Sequence, residues 1–145
     1  MRLDQRYFSQ RAYSKISELR DQIRDPGNYD RASNLIQGLG IYISTWGLHR
    51  LIGDAKKFGR PDNVEDTNYK AIVYTQFLDA LQDLSQADFD ITDPNSLIGS
   101  PDGKSGLQSR EYIALNHLAM RLAREWSFWA PTILETPQTN TNNQN

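Results

Sequence analysis

Six apolar residues near the end of the chain, Tyr112, Leu115, Ala119, Leu122, Trp126 and Trp129, follow one another at steps of 3, 4, 3, 4 and 3. That spacing places them on one side of an α-helix and is incompatible with the alternation of a half-buried strand. The same signature recurs twice. Phe8, Ala12, Ile16, Leu19 and Ile23 step by 4, 4, 3 and 4, and Tyr69, Val73, Phe77, Ala80 and Leu84 repeat those intervals. Three apolar stripes of this length must bury against one another. The pattern predicts an all-α fold, a compact bundle of four to five helices in a single domain.

Punctuation between the stripes sets the boundaries. Asp25-Pro26-Gly27-Asn28 stops the first helix, because proline cannot continue it and glycine and asparagine favour turns. A second helix runs from Tyr29 or Asp30 through Ala32, Leu35 and Ile36. Gly38 and Gly40 then mark a break or a close helix–helix contact, since each glycine costs about 1 kcal/mol relative to alanine inside a helix. Ile41, Ile43, Trp46 and Leu48 to Ile52 make a dense apolar segment, expected to be the buried central helix, with Trp46 in the core. The stretch from Gly53 to Asn68 is polar and reads as a loop. Residues 85–106 form a long polar connection, of a kind that is uncommon unless functional or mobile. Ser109 is placed to cap the final helix, without a reciprocal capping box because Tyr112 stands three residues on, and Pro131 is expected to end it. The domain therefore covers residues 1–134, followed by a disordered polar tail at 135–145 that has nothing to bury.

Composition narrows the chemistry. The 145 residues include no cysteine and only two histidines, His49 and His117, which excludes disulfides and thiolate chemistry. No cofactor or metal site is expected. No apolar run reaches the roughly 20 residues of a bilayer span, and the polar start lacks the apolar centre of a secretory signal, so the expected location is cytoplasmic. Gly99-Ser100-Pro101-Asp102-Gly103-Lys104-Ser105 has one residue too few between its glycines for a phosphate-binding loop, and follows no predicted strand. Asp88, Asp90 and Asp93 lack the glycine and terminal glutamate of a calcium loop. No nucleophile signature occurs. The expectation is that the chain is not an enzyme.

Charge is distributed more tellingly than its net value of −2 suggests. Residues 1–24 carry +3 and residues 66–106 carry −5, with the other two stretches neutral. On the final helix, Arg110, His117, Arg121 and Arg124 fall within roughly 60° of one another, opposite the Leu/Trp stripe. Glu111 and Glu125 project elsewhere. An ordinary amphipathic helix also has a charged outer face, but here the acids are displaced from the basic strip rather than interleaved with it. Arginine offers several donors to phosphate oxygens, so the strip is a candidate backbone contact. Arg20 and Arg24 cluster with Arg2, Arg6 and Tyr13 beside the first helix's apolar stripe, while Arg50, Lys56, Lys57 and Arg60 follow on or after the central segment. Trp126 and Trp129 belong on or near the apolar stripe, and Phe128 lies on the basic face, exposed or docked against another protein. Asp79, Asp83, Asp88, Asp90 and Asp93 offer an acidic surface to the basic end of a neighbouring copy, the head-to-tail geometry that builds open stacks.

Tyr29, Arg31, Ala32 and Leu35, the Gln37-Gly38-Leu39-Gly40 break and Ser44-Thr45-Trp46 open a pattern. The closing helix completes it with Arg110-Glu111-Tyr112, Ala114-Leu115, Ala119, Leu122-Ala123 and Trp126 to Ala130. Across roughly residues 5–130 the chain resembles the small helical subunit of type III-B CRISPR RNA-guided effector complexes, the Cmr group. The resemblance implies a non-catalytic subunit that stacks along the backbone subunits, touches the large subunit and neighbouring copies of itself, and lines the groove where guide RNA pairs with target RNA. Target cleavage would belong to the backbone subunits. On that reading the RNA-binding residues are Arg20, Arg24, Arg50, Lys56, Lys57, Arg110, His117, Arg121 and Arg124. The competing expectation is a helical protein-interaction adaptor that uses Phe128, Trp129 and the acidic segment and touches no nucleic acid.

Overall fold

The computed structural model describes residues 4–61, 67–99 and 106–135. The tail from 136, most of the Gly99–Ser105 segment and Arg2 lie outside the described residues. Within them the chain forms seven α-helices, a short 3-10 turn and no strand. The all-α expectation holds, and the helices are more numerous than the periodicity alone predicts.

Helix α1 spans Gln5–Gln22 and buries Phe8, Ala12, Ile16 and Leu19, the residues its periodicity selects. Asp4 caps it by accepting the Arg6 N–H at 2.8 Å. The stop expected at Asp25–Asn28 is a 3-10 turn over Pro26–Asn28, in which Asp25 accepts the Gly27 N–H at 2.9 Å. Helix α2 follows at Tyr29–Gln37, α3 at Leu39–Trp46 and α4 at Leu48–Phe58. Gly38 divides α2 from α3, whereas a Cβ on Gly40 would meet only Met120 Cε at an ordinary contact distance of 3.7 Å, so of the two expectations the glycine pair supplies the break.

Two expectations fail in this region. The apolar segment from Ile41 to Ile52 is not one central helix, because Gly47 takes φ 88° and breaks it into α3 and α4. That backbone conformation is open to glycine and strained for other residues. The chain also turns hard against the final helix there, since a Cβ on Gly47 would stand 2.9 Å from both His49 Cε1 and the Tyr112 hydroxyl. Ile41 is 74% exposed, and Trp46 lies half outside the core. The supposed loop from Gly53 is likewise helical as far as Phe58, because Leu51, Ile52 and Ala55 share a buried face that carries the helix across Gly53.

Helix α5 spans Asn68–Ser85 and α6 the single turn Asn95–Ile98. The described part of the long polar connection is anchored by buried Phe89 and Leu97, and the Gln82 side chain donates to the Phe89 carbonyl. Helix α7, Ser109–Ile133, is the longest element and the centre of the bundle, packed against α1, α2, α3 and α5, while α4 lies against α5. Its N-terminus begins one residue earlier than the sequence suggests. Gln108 is the cap, and its backbone N–H donates to Glu111 Oε1 at 3.2 Å, the half of a capping box that Ser109 cannot form. Pro131 does not end the helix. The Leu134 N–H closes the last turn onto the Ala130 carbonyl at 2.8 Å, and both residues are buried, so tertiary packing holds a turn in which proline lacks its own donor.

The core is centred on Trp126 and Phe77, whose rings meet edge to face at 5.2 Å. Ile16, Leu19, Ile36, Leu39, Leu51, Leu78, Leu81 and Leu122 surround them with almost no exposure. Burial of each such side chain contributes about 1.5–3 kcal/mol relative to leaving it in water.

Candidate nucleic-acid interface

Helices α1 and α7 run parallel: Phe8 meets Arg121, Ser9 meets Glu125 and Tyr13 meets Trp129. This seam positions the candidate site. With α7 packed against α1, α2, α3 and α5, its remaining face points to solvent. Arg110, His117, Arg121, Arg124 and Phe128 are all exposed along it. Successive members stand 3 to 7 residues apart, so the strip extends over about 27 Å of helix axis at about 1.5 Å per residue.

The nearby acids are engaged by partners other than the strip's arginines, although Glu125 lines the same cleft as Arg121 and Arg124. Glu111 is used at the helix start, where it accepts from the Gln108 backbone. Glu125 accepts from Ser9 Oγ and from Trp129 Nε1, the latter at 3.1 Å. None of Arg110, Arg121 and Arg124 forms an ion pair with another described residue. The Arg121 guanidinium instead covers the Phe8 ring at 4.3 Å, and the residue remains exposed. Beside it lies a shallow cleft of about 330 Å³ lined by Gln5, Phe8, Ser9, Arg121, Arg124 and Glu125.

The other predicted residues occupy two separate places. Arg20 packs over the Tyr29 ring at 4.9 Å and ties the end of α1 to the start of α2, with its Nε buried. Arg24 is exposed and lines a cleft of about 580 Å³ with Gln22, Asn28, Asn68 and Tyr69. On α4, Arg50 covers Trp46 at 4.4 Å and Lys57 lies 5.6 Å from the Phe58 ring, which Lys70 approaches to 4.9 Å from α5. Lys56 is exposed in the last turn of α4. The nine residues are thus three groups, of which only the α7 group forms a continuous strip.

Elsewhere, charged side chains are engaged within the molecule. Lys15 pairs with Asp79 at 2.6 Å and Arg11 pairs with Asp83, joining α1 to α5. Asp90 accepts from the Thr92 N–H and hydroxyl, which hold its carboxyl below the usual range, and Asp93 accepts from the Asn95 N–H. Four of the five aspartates offered to a neighbouring copy therefore already have partners inside the chain. His49 Nδ1 stands 3.2 Å from the Tyr112 hydroxyl, a link between α4 and α7. Among the described residues no three histidine, aspartate or glutamate side chains come together to hold a metal ion. No helix among them is long and apolar enough to cross a membrane.

The helical wheel finds the α7 strip and places Phe128 on it, but it misses the chain of rings behind Phe128. Phe128, Trp129 and Tyr13 form a chain of edge-to-face rings with centroids 5.0 and 5.5 Å apart. Tyr13 joins it only through the parallel packing of α1 and α7, which no single-helix pattern encodes. No protein-family model, no curated protein and no solved structure matches this chain.

Proposed function

We propose that the chain is a non-catalytic helical subunit that holds a nucleic-acid backbone along the outer face of α7, as the small subunit of a type III-B CRISPR effector complex. The observation that carries this reading is the exposed strip of Arg110, His117, Arg121 and Arg124, with Glu111 and Glu125 each engaged in another hydrogen bond. Arginines spaced a turn or two apart suit contact with successive phosphates, which position a protein without reading sequence. Sequence would then be read by guide–target pairing, with the protein contributing shape and charge. A net charge of −2 keeps RNA binding by the free subunit weak and steeply salt-dependent, so it is measurable at low ionic strength and is strengthened when other subunits complete the channel.

A second reading, the protein-interaction adaptor, draws on Phe128, Trp46, Ile41 and Ile113, large apolar side chains left exposed on α3 and α7. Purification of the chain with its native partners, followed by sequencing of the RNA that accompanies it, separates the two. The proposal expects small guide RNAs with common, repeat-derived ends. Protein partners recovered without RNA would replace it with the adaptor.

A further inference from the structure

The α7 strip does not end on a charge. One turn beyond Arg124, Phe128 stands 70% exposed on the same face. An isolated exposed phenylalanine is unremarkable in itself, but this one is built into a cluster. Trp129 holds its ring edge to face at 5.0 Å and 88°, and is in turn braced by half-exposed Tyr13 at 5.5 Å and by the hydrogen bond to Glu125. Its mounting is therefore fixed before any ligand arrives, which reduces the ordering cost of binding.

Charge selects the occupant. Arg121 and Arg124 precede Phe128 by about 10 and 6 Å along the axis. Beyond Phe128 the helix reaches its C-terminus, where the macrodipole is negative and repels phosphate. The arrangement offers cations where a phosphate would lie and an uncharged aromatic face where a phosphate is disfavoured. That ordering matches a nucleotide at the end of a tracked strand, with its phosphates on the arginines and its base beyond them. A base still paired within a helix keeps its faces covered by its neighbours, whereas an unpaired base presents a π-face to any aromatic ring.

We infer that Phe128, backed by Trp129 and Tyr13, is a stacking platform for an unpaired RNA base, positioned where a strand held by Arg121 and Arg124 leaves the duplex. The inference rests on the backbone-contact reading of α7 and adds to it the form of nucleic acid at one end of the strip.

The test uses the full chain at low ionic strength with two RNA probes of equal length, a single strand carrying one 5-iodouridine and a blunt duplex. Phe128→Ala is expected to weaken single-strand binding about tenfold, within the range for loss of one base–aromatic stack, and to leave duplex binding unchanged. Phe128→Trp is expected to restore it, and irradiation to attach the iodouridine at Phe128. Equal loss on both probes, no loss on either, or adducts only elsewhere on the chain would overturn the platform. If Phe128→Ala leaves RNA binding intact and instead releases a protein from the purified assembly, Phe128 is a protein-docking residue and the platform is again overturned. The underlying reading fails separately, when Arg121→Glu with Arg124→Glu changes binding of neither probe.

Discussion

Arg121 and Phe8 meet across the parallel seam of α1 and α7, with the guanidinium carbon 4.3 Å from the centre of a ring that is only 2% exposed. The arginine therefore holds the seam while remaining exposed to solvent. Arg124, one turn on, lines the same cleft without a ring beneath it. Arg121→Ala is expected to cost about 0.5–1 kcal/mol of stability through loss of the cation–π contact. Arg124→Ala is expected to stay within about 0.5 kcal/mol of the parent. Urea denaturation of the two variants measures the difference.

Arg110 occupies the first turn of α7, the positive end of the helix macrodipole, where a cation is unfavourable. Replacement by alanine is expected to leave stability unchanged or raise it by up to about 1 kcal/mol, the range of such end effects. The same change is expected to weaken RNA retention. Thermal unfolding and RNA binding measured on one preparation of Arg110→Ala would show the two properties moving in opposite directions.

Gly47 combines φ 88° with a space already filled by His49 and Tyr112. Gly47→Ala is expected to destabilise the fold by about 1–3 kcal/mol through backbone strain and that clash. Tyr112→Phe removes the hydrogen bond to His49 and is expected to cost about 0.5–1.5 kcal/mol. Chemical denaturation ranks the two.

Tyr42 donates its hydroxyl to Asp54 Oδ2 at 2.5 Å, and its ring centroid lies 5.9 Å from that of Tyr74. Burial, then the Asp54 hydrogen bond, pushes the Tyr42 phenol well above its ordinary value; burial, then the Asp54 charge, pushes Tyr74 up to about 12. Both phenols hold their protons more tightly folded than unfolded, where a tyrosine titrates near about 10. Their contribution is complete below about pH 10 and is lost as pH rises through the folded values. Stability measured from pH 8 to 12 is expected to fall above 10, and Tyr42→Phe with Tyr74→Phe to flatten that decline.

Most of the bundle was legible because burial follows a period of 3.6. Phe8, Ala12, Ile16, Leu19 and Ile23 are buried as their spacing requires, and so are Leu115, Ala119, Leu122 and Trp126. The reading failed where one residue's backbone governs a long segment. Gly47 split the apolar run from Ile41 to Ile52, and Trp46 came to the surface beneath Arg50 instead of entering the core. At Pro131, burial of Ala130 and Leu134 outweighed a local rule. The α7 strip was legible because one helix contains it. The pairings of Lys15 with Asp79, Arg11 with Asp83 and Tyr13 with Trp129 join different helices, so they required the tertiary arrangement.

The most direct measurement of the proposed backbone contact is the salt dependence of target-RNA retention by the proposed complex, compared between the parent chain and Arg121→Glu with Arg124→Glu. Each lost phosphate contact lowers the slope of log affinity against log salt by about 0.7–0.9. Weaker retention with a slope smaller by about 1.5, in a variant that still folds and assembles, is the predicted result. Unchanged retention with an unchanged slope would contradict the account.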